Sequence, residues 1–165
     1  MKKLFALLLS LILIVSLCAC GNTKQTTTNN AANKANSANE VKATVINKDG
    51  GTESLSAKEL ADIKESNPLN FDNKYWCAKV TVTGKITDIG GLSNINGTNY
   101  KWTLTIEGGE WDWFIGDSEY NTSTVTQDFI ATLSKGDTVQ ISGEIVGASF
   151  KQCDISNGTI SVIKK

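Results

Sequence analysis

The stretch WCAKVTVTGKITDI, residues 76–89, places Val80, Val82, Gly84 and Ile86 on one side of a two-residue alternation and Lys79, Thr81, Thr83, Lys85 and Thr87 on the other. Apolar and polar residues that alternate singly mark a strand with one dry face. The strand is long, and Gly84 stands in its middle. A glycine inside a strand often permits the sharp bend of a barrel corner.

Reading outward from it, the loop 90–98 contains Gly-Gly and Asn-Gly. A second strand is predicted over residues 100–107, where Trp102, Leu104 and Ile106 alternate with Lys101, Thr103 and Thr105. Gly108-Gly109 turns the chain into a third, EWDWFIG, residues 110–116. A helix should follow: Thr124 and Gln127 stand at capping-box spacing. Val125, Phe129, Ile130 and Leu133 mark its buried side, with Gly136 as C-cap. The fourth strand covers residues 137–146. The last begins near Phe150 and could fold back at Asn157-Gly158 into residues 159–163.

Upstream, residues 41–55 read as a hairpin around Lys48-Asp49-Gly50-Gly51, since Asp-Gly is a strong tight-turn signal. Ser56 and Glu59 then make an S-x-x-E capping box, with Leu55 and Leu60 placed as the staple. Ala57, Leu60, Ala61 and Ile63 give the helix an apolar face, and Pro68 should end it at Asn67. Three strands, a helix, then two or three strands is the order of an OB-fold, a five-stranded Greek-key barrel. Here the helix lies between strands three and four, and a small hairpin and helix precede the barrel. A small sandwich or an open α+β sheet are the alternatives.

Particular residues carry a family resemblance. They are Asn67 at the helix end, Tyr75 before the first strand, VTGKI at 82–86, the Leu133–Ile145 stretch LSKGDTVQISGEI, and Cys153. Over residues 57–160 this pattern resembles the tRNA-anti-like OB-fold family of bacterial proteins. The resemblance implies a fold more than an activity, because its motifs are strands and turns. PLNF at 68–71 departs from the small polar residues usual after the helix.

The first twenty residues, MKKLFALLLSLILIVSLCAC, have a lysine pair, an apolar run over 4–17 and a close. The run is short for a membrane span, which needs about 20 apolar residues, and fits a secretory signal peptide. Leu17-Cys18-Ala19-Cys20 resembles a lipoprotein lipobox. Residues 1–19 are therefore expected to leave as the signal, and Cys20 to be lipidated. At least two acyl chains then anchor the protein stably to a membrane, on its extracytoplasmic face. Residues 20–40 comprise that Cys and a tract of Asn, Thr, Ala, Lys, Gln and Ser, too poor in apolar residues to offset its ordering entropy. Residues 41–165 form the folded domain.

Composition narrows the chemistry. All 16 basic residues are Lys and there is no His. From Val41 on, 12 lysines accompany 16 acids, a net charge of −4. A nucleic-acid binder usually presents a basic face, and arginine is the usual reader of guanine and phosphate. Catalysis lacks a histidine base and a nucleophile motif, so no enzyme activity, cofactor or metal site is expected. Glu107, Glu110, Asp112, Asp117 and Glu119 read as a solvated rim; as calcium ligands they lack the EF-hand spacing. Trp102 shares the parity of Leu104 and Ile106 and belongs to the core. Trp111, Trp113, Phe114 and Tyr100 are the candidate ligand-binding aromatics, on the strands and loops that bind ligands in OB-folds. Cys77 and Cys153 read as two separate thiols, with a disulfide between them as the alternative. The function expected is a membrane-anchored, non-catalytic binding module for a protein or envelope glycan. The alternative is a single-stranded nucleic-acid binder at the cell surface.

Overall fold

The computed structural model describes residues 40–165, which belong to one compact unit, Ala35–Lys165. The expected signal peptide, the lipidated Cys20 and nearly all of the tether lie outside the described residues. In chain order the elements are β1 (Lys42–Ile46), β2 (Thr52–Ser56), α1 (Ala57–Ser66), α2 (Pro68–Lys74), β3 (Lys79–Gly90), β4 (Ser93–Ile95) and β5 (Thr98–Ile106), then β6 (Asp112–Ser118), α3 (Gln127–Ile130), β7 (Thr138–Ser149) and β8 (Gln152–Lys164).

Five strands close a hydrogen-bonded ring. β3 pairs with β7, β7 with β8, β6 with β5, and β5 with β3, all antiparallel; β6 and β8 pair in parallel. This is the OB-like barrel that the sequence predicts, with a helix between its third and fourth strands. β3 makes closure feasible because it serves two neighbours: Lys79–Lys85 pairs with β7, and Ile86–Gly90 with β5. Gly84 stands just before the changeover, and a bulge follows between Ile86 and Asp88. The β1–β2 hairpin extends the sheet outside the ring, β1 pairing with the start of β3.

The alternation of the strands fills the barrel. Val80, Val82, Ile86, Trp102, Leu104, Ile106, Trp113, Ile115, Val139, Ile141, Ile145 and Ile155 are buried in one cluster. Each large side chain so buried contributes about 1.5–3 kcal/mol. Leu60, Ala57 and Ala61 attach α1 to this cluster, and α1 packs against β2, β6, β7 and β8. Its start is the expected capping box: Ser56 Oγ accepts from Glu59 N at 3.1 Å, and Glu59 Oε2 accepts from Ser56 N at 2.8 Å.

Four details differ from the sequence reading, each for a local reason. Pro68 ends α1 but also begins α2: Asn67 caps the second helix by accepting from Asn70 N at 3.0 Å, with Pro68 in its first turn. Proline suits that position because its missing N–H would have no helical partner. The loop after β3 contains β4, joined to β5 by a tight turn with Asn96 and Gly97 at positive φ. The helix between β6 and β7 is four residues long and capped by Thr126, two residues after the predicted Thr124. Finally, Asn157-Gly158 does not turn the last strand back. The pairing of β7 with β8 skips there, Ser142 facing Thr159 and Glu144 facing Ser156, so the two residues bulge opposite Gly143. A Cβ on Gly143 would stand 2.6 Å from Ser156 O. The β7–β8 turn instead comes at Phe150-Lys151, both at positive φ although neither is glycine.

Candidate binding face

β5, β6 and β8 lie side by side, and each has an inner and an outer side. Trp102, Leu104, Ile106, Trp113, Ile115, Cys153 and Ile155 point into the core. The intervening residues Thr103, Thr105, Phe114, Gly116, Gln152 and Asp154 lie on the opposite side. Two register shifts change what this outer side carries.

The first lies between Tyr100 and Trp102. Trp102 pairs with Asp117, but Tyr100 pairs with Ser118. Lys101 is thus an extra residue, and Tyr100 moves from the side of Trp102 to that of Phe114. The rings of Tyr100 and Phe114 meet edge to face, with centroids 5.5 Å apart and planes at 89°. Gly116 makes room for them, since a Cβ there would stand 2.6 Å from Tyr100 Cδ1. The second shift lies between Ile145 and Gly147 in β7. Ile145 faces Ile155, and Gly147 faces Asp154. Val146 is the extra residue, and Gly147 comes to the outer side, its Cβ position 3.1 Å from Asp154 Oδ2. Bulges often re-aim side chains beside functional sites.

Asp154 is half-buried. Gln152 Nε2 donates to its Oδ1 at 2.8 Å, and among the described residues no lysine forms an ion pair with it. Burial raises its carboxyl above the usual aspartate range, opposed by the Gln152 hydrogen bond and the charge of Lys64. Tyr100 is raised as well, first by burial and then by the charge of Asp154. The charge of Asp154 thus reaches the Tyr100 phenol.

The predicted aromatics are divided by these positions. Trp113 is a correction: it is fully buried, and its Nε1 donates to Val41 O at 3.2 Å beneath the N-terminal hairpin. It shares the inward parity of Ile115, so no ligand reaches it. Phe114 is on the outer side as expected, yet only 3% exposed, and it supports Tyr100 instead of offering a free ring. Tyr100 and Trp111 are half-buried; Trp111 packs against the core cluster just ahead of β6. Cys77 and Cys153 are separate thiols, the first exposed and the second buried. Burial drives the Cys153 thiol far up. Trp102 is core, as predicted.

Asp154 itself was absent from the sequence-based candidates. Its partners Tyr100, Phe114 and Gly147 come from other strands, and two of them reach it through bulges. The available signal was modest: an acid alternating with the buried Cys153 and Ile155 in a barrel strand.

Elsewhere the polar clusters are complete in themselves. Glu53 accepts from Lys74 Nζ at 2.6 Å, Asn47 Nδ2 at 2.7 Å and Tyr75 OH at 2.8 Å. Asp117 pairs with Lys101 at 3.0 Å, and Asp112 Oδ1 accepts from Gly108 N at 3.1 Å. Among the described residues no three His, Cys, Asp or Glu side chains gather as metal ligands, and no helix is long and apolar enough to cross a membrane. A shallow groove of about 280 Å³ runs between Val125, Phe129 and Ile160, rimmed by Thr124, Thr126 and Thr159.

The tRNA_anti-like family model matches residues 1–157 of the chain, and the protein belongs to that family. No curated protein and no solved structure matches it.

Proposed function

We propose that this member of the tRNA_anti-like family is a lipid-anchored extracytoplasmic lipoprotein whose OB-fold domain is a non-catalytic binding module for a protein or an envelope glycan. The anchor reading is carried by one sequence feature: the lysine pair and apolar run that end in Leu17-Cys18-Ala19-Cys20. Cys20 takes the lipid, and the domain is held at the outer surface of the cell membrane. Family membership supports the barrel and leaves its ligand open.

The outer side of β5, β6 and β8 supports a binding role. Two bulges and Gly116 shape it, and a pair of aromatics lies beside a carboxylate that forms no ion pair among the described residues. Its acids, Asp112 and Asp154, suit the phosphate backbone of a nucleic acid poorly, and the chain has no arginine to clamp one. A single-stranded nucleic acid is therefore the second reading, and it would show as binding that weakens steeply with salt.

The anchor is tested by replacing Cys20 with Ala and fractionating cells. The wild-type chain is expected in the membrane fraction, with a mass that includes a diacylglyceryl-modified Cys20. The variant should leave that fraction as unprocessed or released protein without the lipid mass. An unmodified Cys20 in the mature wild-type protein would refute the reading.

A further inference from the structure

We infer that Asp154 and Tyr100 form a receptor for a cationic amino group, so that the partner of this face presents a primary amine. The inference rests on the binding role proposed above and names the chemistry of its ligand.

Asp154 is the half-buried carboxylate of the outer face. Among the described residues its Oδ1 has one donor, Gln152 Nε2 at 2.8 Å, from its own strand. Its Oδ2 lies over Gly147, where a side chain is missing: a Cβ would stand 3.1 Å away. A carboxylate has room for about four hydrogen bonds, and withdrawing one from water without a counter-charge is costly. An ammonium group supplies three donors and the missing charge. The neighbouring ring adds to this. Tyr100 is the half-exposed aromatic of the site, fixed against Phe114 at 5.5 Å and laid over Gly116. A cation near the face of such a ring is attracted by its negative π-face.

The backbone supports a purpose for this arrangement. Without the bulge at Lys101, Tyr100 would share the inward side of Trp102. Without that at Val146, Gly147 would share the inward side of Ile145, leaving a different residue beside Asp154. Both irregularities lie on the same outer side of the sheet that carries Asp154. Among the described residues, the charged and titratable groups near Asp154 include Tyr100 on β5, Lys64 on α1, the neutral Cys153 thiol on β8 and, on the same outer side of β6, Asp112, whose Oδ1 accepts from Gly108 N at 3.1 Å. Lys64 Nζ is engaged elsewhere, donating to Ala148 O at 3.2 Å and standing 5.6 Å from the Phe71 ring centroid. It acts on Asp154 at a distance and leaves the carboxylate open to a second cation.

Two sources present such an amine: a lysine side chain of a partner protein, and the free amino group of a deacetylated glycan. The test uses the full-length protein in lipid nanodiscs, with tetralysine and a glucosamine tetramer as probes and their N-acetylated forms as controls. Calorimetry should find saturable binding of at least one amine probe and loss of binding on acetylation. Asp154→Asn should weaken it tenfold or more, and Tyr100→Leu several-fold, while Tyr100→Phe retains it. Gly147→Ala keeps the carboxylate and covers Oδ2, so it should also weaken binding, with an unchanged melting temperature excluding misfolding. Preference for tetralysine names a protein partner, and preference for the glucosamine tetramer a glycan. Binding that survives acetylation, is indifferent to Asp154→Asn, or is absent for both probes overturns the inference. The outcome is separable from the wider reading. If the wild-type protein and the Asp154→Asn variant capture the same envelope component equally, the binding module stands and the amine receptor falls.

Discussion

Two carboxylates in this domain differ in burial, Asp154 being the more deeply packed, and in their company. Glu53, on the N-terminal hairpin, has three side-chain donors within 2.8 Å: Lys74, Asn47 and Tyr75. Asp154, on the barrel's outer side, has one among the described residues, its neighbour Gln152. The acidity of each follows. Lys74 first, then Tyr75, hold Glu53 below the usual glutamate range, whereas burial lifts Asp154 above the usual aspartate range. A satisfied carboxylate is a structural joint: Glu53 ties β2 to the end of α2 and fixes the approach to β3. An unsatisfied one on an accessible face has capacity left for a ligand.

Removing the acids separates the two roles. Glu53→Ala leaves Tyr75 OH and Asn47 Nδ2 without their partner and should destabilise the fold by about 2 kcal/mol, the cost of stranding hydrogen-bonding groups beside a charge. Chemical denaturation measures it. A loss no larger than that of Asp154→Ala would erase the contrast. Tyr75→Phe removes a single hydrogen bond to the same carboxylate and should cost about 1 kcal/mol. An unchanged denaturation midpoint would mean that Lys74 and Asn47 alone hold the joint.

The smallest effect is in pH. Glu53 has a lowered folded pKa, so its contribution is present above the unfolded glutamate value and lost as the solution is acidified through the folded one. Asp154 has a raised folded pKa, so its contribution is fully present below the unfolded value and lost as pH rises through the folded one. Asp154→Asn should therefore be slightly more stable than the wild type at neutral pH, and the difference should vanish toward acid. A variant less stable at neutral pH would show that the carboxylate already has its partner within the fold.

How far the sequence reveals this depends on the range of the interaction. The capping box of α1 was legible because Ser56 and Glu59 are three residues apart, and β3 because strict alternation needs no distant partner. Trp102 was assigned to the core by the same parity. Parity alone would put Tyr100 on the inward side of Trp102; the bulge at Lys101 that reverses sides depends on the pairing of β5 with β6. Asn67-Pro68 marks a helix start as well as a stop, the start depending on the Asn67 side chain accepting from Asn70 N. The sharp turn at Phe150-Lys151 has no glycine to announce it, while Asn157-Gly158, which looks like a turn, is a bulge because β7 continues beside it. Asp154 gains its surroundings from the parallel pairing of β6 with β8 and from Gly147 across β7. None of these is near it in the chain, except Gln152.

The most direct measurement is a carbon-13 titration of the Asp154 carboxyl in the full-length protein, with and without tetralysine and the glucosamine tetramer. The account predicts a midpoint above the usual aspartate range in the free protein, falling when an amine probe binds, because the ammonium stabilises the charged form. A midpoint at or below the usual range in the free protein, unmoved by either probe, would mean that Asp154 is satisfied as it stands, and the central claim would be wrong.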